Sequence, residues 1–222
     1  MARFGGRVGI AAVAGAASFL GFRHWQLRWH STEPEVRAAL PGDELITAPH
    51  LTATRAITID ATAAQVWPWI AQLGQGRGGF YSYDALENLV GCDIHSADRI
   101  VPEWQDIKVG DAVNLAPHVA LRVAAVERDR ALVLRGGVPM DDASPPYDFS
   151  WAFILDEKED GTTRLLARER YAYFQRWVAL LVEPVEAISF IMTQKMLRGI
   201  RQRAEAPKRA AEIPDTMSRS LL

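Results

Sequence analysis

The chain has 222 residues, which is enough for one domain with a substantial core and too short for two ordinary domains. Hydrophobic residues make up 49% and charged residues 23%, which excludes a disordered, collagen-like or multi-pass membrane protein. With a net charge of −2 and an isoelectric point near 6.2, the chain lacks the positive electrostatic potential that nucleic-acid binding usually needs. No nucleic-acid partner is therefore expected. The single Cys92 excludes an intrachain disulfide.

The N-terminal residues 1–30 form a hydrophobic segment of a different kind from the rest. Its uncharged stretch, residues 8–22, is bounded by arginines and followed by Trp25 and Trp29. Tryptophan favours membrane–water interfaces, so we expect a single-pass membrane anchor through residues 8–22. Two alternatives stay open: a signal peptide cleaved at the A-x-A-like residues 14–16, with export, and an Ala/Gly-rich soluble helix docked on the domain.

Residues 31–53 carry three prolines and predict a linker or extended arm before a domain at residues 54–206. The domain opens with a half-buried strand, followed by two short helices, the second of which has one apolar stripe. The predicted bounds are Thr54–Asp60 for the strand, Ala63–Leu73 with Thr62 as N-cap for the first helix, and Tyr83–Val90 with Leu86, Leu89 and Val90 as the stripe of the second.

Alternating patterns then predict five strands that form a meander and a hairpin. Their predicted bounds are Ala112–Leu115, Val119–Glu127, Ala131–Arg135, Asp148–Asp156 and Thr162–Phe174. Apolar residues at spacings of three and four from Val178 to Met196 predict a long helix that faces a core. Pro184 marks a kink or a fresh start, Pro207 a helix end, and residues 207–222 a flexible tail.

This order of elements defines an α+β domain in which a curved antiparallel sheet wraps a helix. The segments TRAITIDATAAQVWPWI, GQGRGGFYSYDALENL, ADRIVPEWQDIKVGD and EPVEAISFIMTQKML resemble the SRPBCC superfamily of START, polyketide-cyclase and pollen-allergen-like helix-grip proteins. The opening strand that leads to Val66 and Trp67 is the most specific part. The resemblance implies a seven-stranded sheet gripping the C-terminal helix, a hydrophobic cavity between them and no universal catalytic residue.

Eight aromatic residues between Tyr147 and Trp177 give the hairpin an aromatic wall. Phe149, Trp151 and Phe153 share one face of their strand by period two, and we expect that face to meet the helix. Such a wall lines a ligand cavity or packs an ordinary core. The candidate ligand-binding residues are Phe80, Tyr81, Tyr83, Trp151, Phe153, Arg168, Glu169, Arg170, Tyr171 and Met192.

The sequence pattern of the partner strand, Thr162–Phe174, does not decide which of its two faces points inward. With one face inward, Glu169 is a carboxylate in an apolar wall and a candidate for acid–base chemistry. With the other face inward, Arg168 and Arg170 enter the cavity and bind an anionic group. A bulge, or an ion pair on a solvated face, is the structural alternative.

One loop groups residues that can bind metals or transfer protons. His95 lies beside Asp93 and Asp98, so it is a second weak catalytic candidate besides Glu169. The spacing fits no zinc template, and neither a metal nor a cofactor is expected.

These observations predict a protein that binds a hydrophobic small molecule or lipid between sheet and helix, at or near a membrane. One alternative is a polyketide cyclase or hydrolase-like enzyme that uses the same cavity, with Glu169 or His95 as its acid–base group. The other is a structural membrane-associated module with a filled core.

Overall fold

The computed structural model describes residue 15, residues 17–136 and residues 145–212. Its first helix, α1, runs through residues 17–27. The later helices are α2 (Glu33–Arg37), α3 (Ala63–Ala71), α4 (Asp84–Leu89) and α5 (Val178–Glu212). The strands are β1 (Leu51–Ile59), β2 (Ala112–Ala116), β3 (Val119–Glu127), β4 (Ala131–Gly136), β5 (Tyr147–Glu157) and β6 (Thr163–Tyr173).

The strands form one antiparallel sheet with the order β1-β6-β5-β4-β3-β2. The β5–β6 hairpin pairs over eleven residues, from Tyr147↔Tyr173 to Glu157↔Thr163. Register shifts in β2 and β3 interrupt the ladder near the other edge, where such irregularities bend a sheet. The predicted α+β fold, with its meander, hairpin and long C-terminal helix, is confirmed. The resemblance implied seven strands, and the described residues form six.

Helix α5 packs against the inner face of the sheet and forms the main core with it. Met196, Leu197 and Ile200 of α5 join Phe153 and Leu165 of the hairpin in one buried cluster. The aromatic face of β5 therefore meets α5, as its period of two predicted. Alternate residues of β5 pack on the outer face instead, in a separate cluster.

The ends of the helices agree only in part with the sequence patterns. Thr62 and Gln65 form a capping box at the start of α3, as expected for a Thr N-cap. Both Pro184 and Pro207 lie inside α5, although Pro207 was expected to end it. An interior proline removes its own N–H donor and crowds the carbonyl four residues earlier, but a helix continues where the turns on either side keep their hydrogen bonds.

The predicted membrane anchor is wrong for the part of the chain that is described, because none of its helices is long and apolar enough to cross a membrane. Helix α1 is docked on the domain. Arg23 pairs with Glu183 at 2.5 Å, and Trp25 packs edge-on against Phe190 of α5. Most of residues 8–22, and the proposed cleavage site apart from residue 15, lie outside the described residues.

The arm between α1 and β1 is bound to the outer face of the sheet. Arg168 of β6 donates hydrogen bonds to the backbone carbonyls of Glu35, Val36 and Ala38, and it pairs with Asp43 at 2.7 Å. These bonds connect α2 and the turn that follows it to the sheet. Strand β1 begins at Leu51, three residues before its predicted start.

Candidate functional site

A cavity of about 290 Å³ lies between the inner face of the sheet and α5. Its walls are mainly apolar and include Leu115, Leu121, Phe149, Trp151, Tyr171 and Val182. A smaller lobe of about 120 Å³ shares Leu115, Trp151 and Ser189 with it and also contacts Phe80, Glu87, Met192 and Thr193. We call the two spaces the larger lobe and the smaller lobe.

The periods of the strands and the helix bring these side chains together. On β5 and β6, residues two apart point to the same face, which places Phe149, Trp151, Glu169 and Tyr171 opposite α5. On α5, residues three or four apart line the cavity, from Val182 through Ser189 to Met196. The cavity is therefore the space that two regular elements leave between them.

A buried ionic triad borders the larger lobe through Glu169, its member in the lining. The Arg55 guanidinium on β1 donates to Glu169 of β6 at 2.9 Å and also bonds Glu186 of α5. Its Nε donates to the backbone carbonyl of Gln26 on α1 at 3.1 Å. All three charged side chains are at most 2% exposed. Burial and the nearby Glu169 carboxylate raise the pKa of Glu186, although Arg55 acts in the opposite direction.

The Glu169 carboxylate is a charged group in the lining of the larger lobe. Besides the bond from Arg55, it accepts hydrogen bonds from the hydroxyls of Tyr171 and Ser189, each at 3.2 Å, and Thr193 at 3.3 Å. Burial, followed by the charge of Glu169, raises the pKa of Tyr171 well above its usual value. Glu169 is thus held in one position by groups from three elements, as an orienting group in a binding site must be.

Two residues that line the smaller lobe each have one buried polar atom without a hydrogen-bond partner within the described residues. The atoms are the indole Nε1 of Trp151 and Oε2 of Glu87. Burial and the nearby Asp84 carboxylate raise the pKa of Glu87 to about 7. A buried donor and a buried acceptor without partners are costly in a folded protein, which marks this lobe as unusual.

The apolar pattern of α4 predicts the wrong face of this helix for the core, and Glu87 was therefore not among the predicted site residues. The predicted apolar stripe is exposed: Leu86 by 54%, Leu89 by 82% and Val90 by 76%. The helix turns Glu87 towards the cavity instead. A six-residue helix has too few turns for its apolar pattern to decide its orientation, and no signal in the sequence singled out this carboxylate.

The other uncharged candidate residues occupy different places. Phe80 and Met192 line the smaller lobe. Phe153 is fully buried in the main core and lines neither lobe. Tyr81 is also buried, where its hydroxyl donates to the Trp69 carbonyl and accepts from a glutamine side chain, and burial raises its pKa. Tyr83 is 39% exposed, with the Lys195 ammonium over its ring.

The charged candidates other than Glu169 lie away from the cavity. Arg168 and Arg170 point to the outer face, where both pair with Asp43 and line a polar groove of about 580 Å³ under the arm. His95 is exposed on its loop, and its ring nitrogen lies 3.2 Å from Asp93. The described residues contain no group of three or more His, Cys, Asp or Glu side chains placed to hold a metal. Whether any predicted residue binds a ligand stays a prediction.

A larger, open cleft of about 680 Å³ lies between α5 and the loop around Ser96, and several of its polar groups are already partnered. Asp84 accepts from the backbone and side chain of Ser96, and Arg203 donates to the Ala97 carbonyl and to Asp98. The cleft therefore leaves these groups little capacity to hold a ligand. The sheet–helix cavity is the better candidate site.

No family model and no curated protein matches the chain. Similar solved structures include the Zhui aromatase/cyclase from Streptomcyes sp. R1128, with 14% identity, 73% of this chain and 98% of that chain covered, and a TM-score of 0.42. They also include the hypothetical protein jhp0584 from Helicobacter pylori, with 11% identity, 76% of this chain and 96% of that chain covered, and a TM-score of 0.45. Protein MLL2253 from Mesorhizobium loti is similar as well, with 14% identity, 70% of this chain and 98% of that chain covered, and a TM-score of 0.42. Identities and scores this low transfer no activity, and membership of the SRPBCC superfamily stays a prediction.

The substitution Arg55→Met tests the triad. It leaves two buried carboxylates without their counter-charge, so we expect the free energy of unfolding to fall by about 3–5 kcal/mol. Arg122→Met is the matched control, since Arg122 is an exposed arginine on β3 and should change stability by less than about 0.5 kcal/mol. Urea denaturation of both variants measures the difference, and equal losses would contradict the importance of the triad.

The raised pKa of Glu87 predicts a pH dependence of stability. Its value of about 7 lies above the ordinary 4.5, so between these values the folded state holds a proton that the unfolded state releases. Stability conferred by Glu87 is therefore present at pH 4.5 and falls as the pH rises through 7. Urea denaturation at pH 5 and pH 8 should show a smaller loss for Glu87→Gln than for the wild type, and an unchanged loss for Glu159→Gln, which alters an exposed carboxylate.

Proposed function

We propose that the protein binds a small, mainly apolar molecule in the cavity between the sheet and α5. The observation that carries this proposal is the larger lobe, where apolar and aromatic walls surround one carboxylate fixed by several hydrogen bonds. Apolar walls supply affinity and a few fixed polar groups supply orientation, which is the usual composition of a small-molecule site.

The volume of the larger lobe limits the size of the ligand. At about 290 Å³ it lies at the lower end of ligand pockets, which measure about 300–1,000 Å³. This favours a compact molecule over a whole phospholipid. Apolar area removed from water contributes about 25 cal/mol per Å², so an aromatic ligand of this size gains affinity mainly from burial.

A second candidate, an enzyme of the cyclase or hydrolase-like kind, is favoured by one observation. Glu87 borders the smaller lobe with a pKa of about 7, the range in which a carboxyl group both gives and takes protons at neutral pH. His95 lies outside the cavity, so Glu87 replaces it as the acid–base candidate. Recovery of a bound molecule in chemically changed form, lost in Glu87→Gln, would favour this enzyme over a binding protein.

The uncharged dye N-phenyl-1-naphthylamine, which fluoresces in apolar surroundings, tests the binding function. We expect saturable one-to-one binding to the full chain. Leu115→Trp adds bulk at a residue that lines both lobes and should weaken binding by about tenfold or more. Leu89→Trp makes the same change on the exposed face of α4 and should leave binding unchanged.

The two variants also define what would contradict the proposal. Equal weakening by Leu115→Trp and Leu89→Trp, or none by either, would place the dye elsewhere on the protein. Circular dichroism of both variants establishes that each is folded before the dissociation constants are compared.

A further inference from the structure

The first half of helix α5 is apolar on two opposite sides. Its inner side is buried in the domain through Val178, Val182 and Phe190. Its outer side carries a second apolar stripe, which begins at the residue before the helix and repeats at spacings of three and four. The members of this outer stripe, all of them exposed, are Trp177, Leu180, Pro184, Ile188 and Ile191. A helix with apolar residues all round is usually buried all round, so the domain alone leaves one side of α5 uncovered.

Helix α1 extends this apolar surface along one side of α5. Arg23 pairs with Glu183, which lies 160 residues further along the chain. Gln26 donates to Glu186, again 160 residues further along. The first turns of α1 therefore lie beside the first turns of α5. Four apolar residues of α1 are at least half exposed there: Phe19, Leu20, Phe22 and Trp25. We call these four residues, together with the outer stripe of α5, the outer apolar face.

The outer apolar face is larger than the apolar patches that monomers usually expose. The exposed fractions of its large side chains correspond to roughly 900 Å² of surface, whereas the largest patch on a typical monomer measures about 300–600 Å². A standard interface between two proteins buries about 800 Å² on each partner. The face therefore has the area that a stable dimer needs.

The charges on this part of α5 favour a protein partner over a lipid surface. Residues 177–193 include no lysine or arginine, and their two charged side chains are Glu183 and Glu186. Both carboxylates are already paired, with Arg23 and Arg55. Helices that lie on a membrane place lysines and arginines near the lipid phosphates, and this stripe has none. A contact surface rich in apolar residues and depleted of charge is typical of interfaces between identical subunits.

We infer that a second copy of this chain covers the outer apolar face, in a two-fold symmetric dimer whose α5 helices pack against each other. A two-fold axis brings the same face of both copies together, so each face meets a surface of equal size and apolar character. Spacings of three and four are those by which two helices interlock along their length. The inference goes beyond the proposed ligand-binding function, because no residue of the outer stripe lines either lobe.

Sedimentation equilibrium of the full chain, in buffer without lipid or detergent, tests the dimer. We expect a mass of about twice the 24.6 kDa of one chain. Leu180→Glu places a charge on the outer stripe of each copy, so the dissociation constant of the dimer should rise by at least about a hundredfold. Leu89→Glu is the matched control, because Leu89 of α4 is 82% exposed, Leu180 is 81% exposed, and Leu89 lies outside the outer apolar face. It should leave the dimer intact, and circular dichroism establishes that both variants are folded.

Three results would overturn the inference. The first is a wild-type chain that stays monomeric at every concentration. The second is a dimer that Leu180→Glu leaves intact, or that Leu89→Glu dissociates equally, since either result places the interface elsewhere. The third is a monomer that floats with phosphatidylcholine vesicles and loses this attachment in Leu180→Glu, which would assign the face to a lipid surface. Dye binding to the cavity can succeed in each case, so the proposed function stands or fails on its own test.

Discussion

Arg55 connects four separate elements through one buried guanidinium. From β1 it bonds Glu169 of β6, Glu186 of α5 and the backbone of Gln26 on α1. Because these charges are shut off from water, none of them can lose its partner without a large free-energy penalty. The triad therefore restricts how far α5 can move from the sheet. The cavity lies beside it, between the same two elements.

The two faces of β6 serve different purposes, which follows from its period of two. Glu169 and Tyr171 face α5 and border the cavity, while Arg168 and Arg170 face outward and hold the arm. Charged residues on both faces of one strand are each paired by a neighbouring segment. The outer face thus stabilises the sheet, and the inner face is available for binding.

Much of the fold could be predicted because it depends on local periodicity. The bounds of β3 agree with the pattern, those of the other strands lie within a few residues, and the aromatic face of β5 points inward as expected. The site could be predicted only in part. Phe80, Trp151, Glu169, Tyr171 and Met192 border the cavity, but Glu87 escaped notice because α4 is too short to show which face it buries.

The sequence by itself determined the order of the elements, their periods and the placement of aromatic residues on one face of the hairpin. Only the tertiary structure decided which charges meet. Arg55 and Glu169 lie 114 residues apart, and Arg55 and Glu186 lie 131 apart, so no local pattern connects them. Their pairing depends on how α5 crosses the sheet, and so does the cavity, because both are products of packing between distant segments rather than of any one segment.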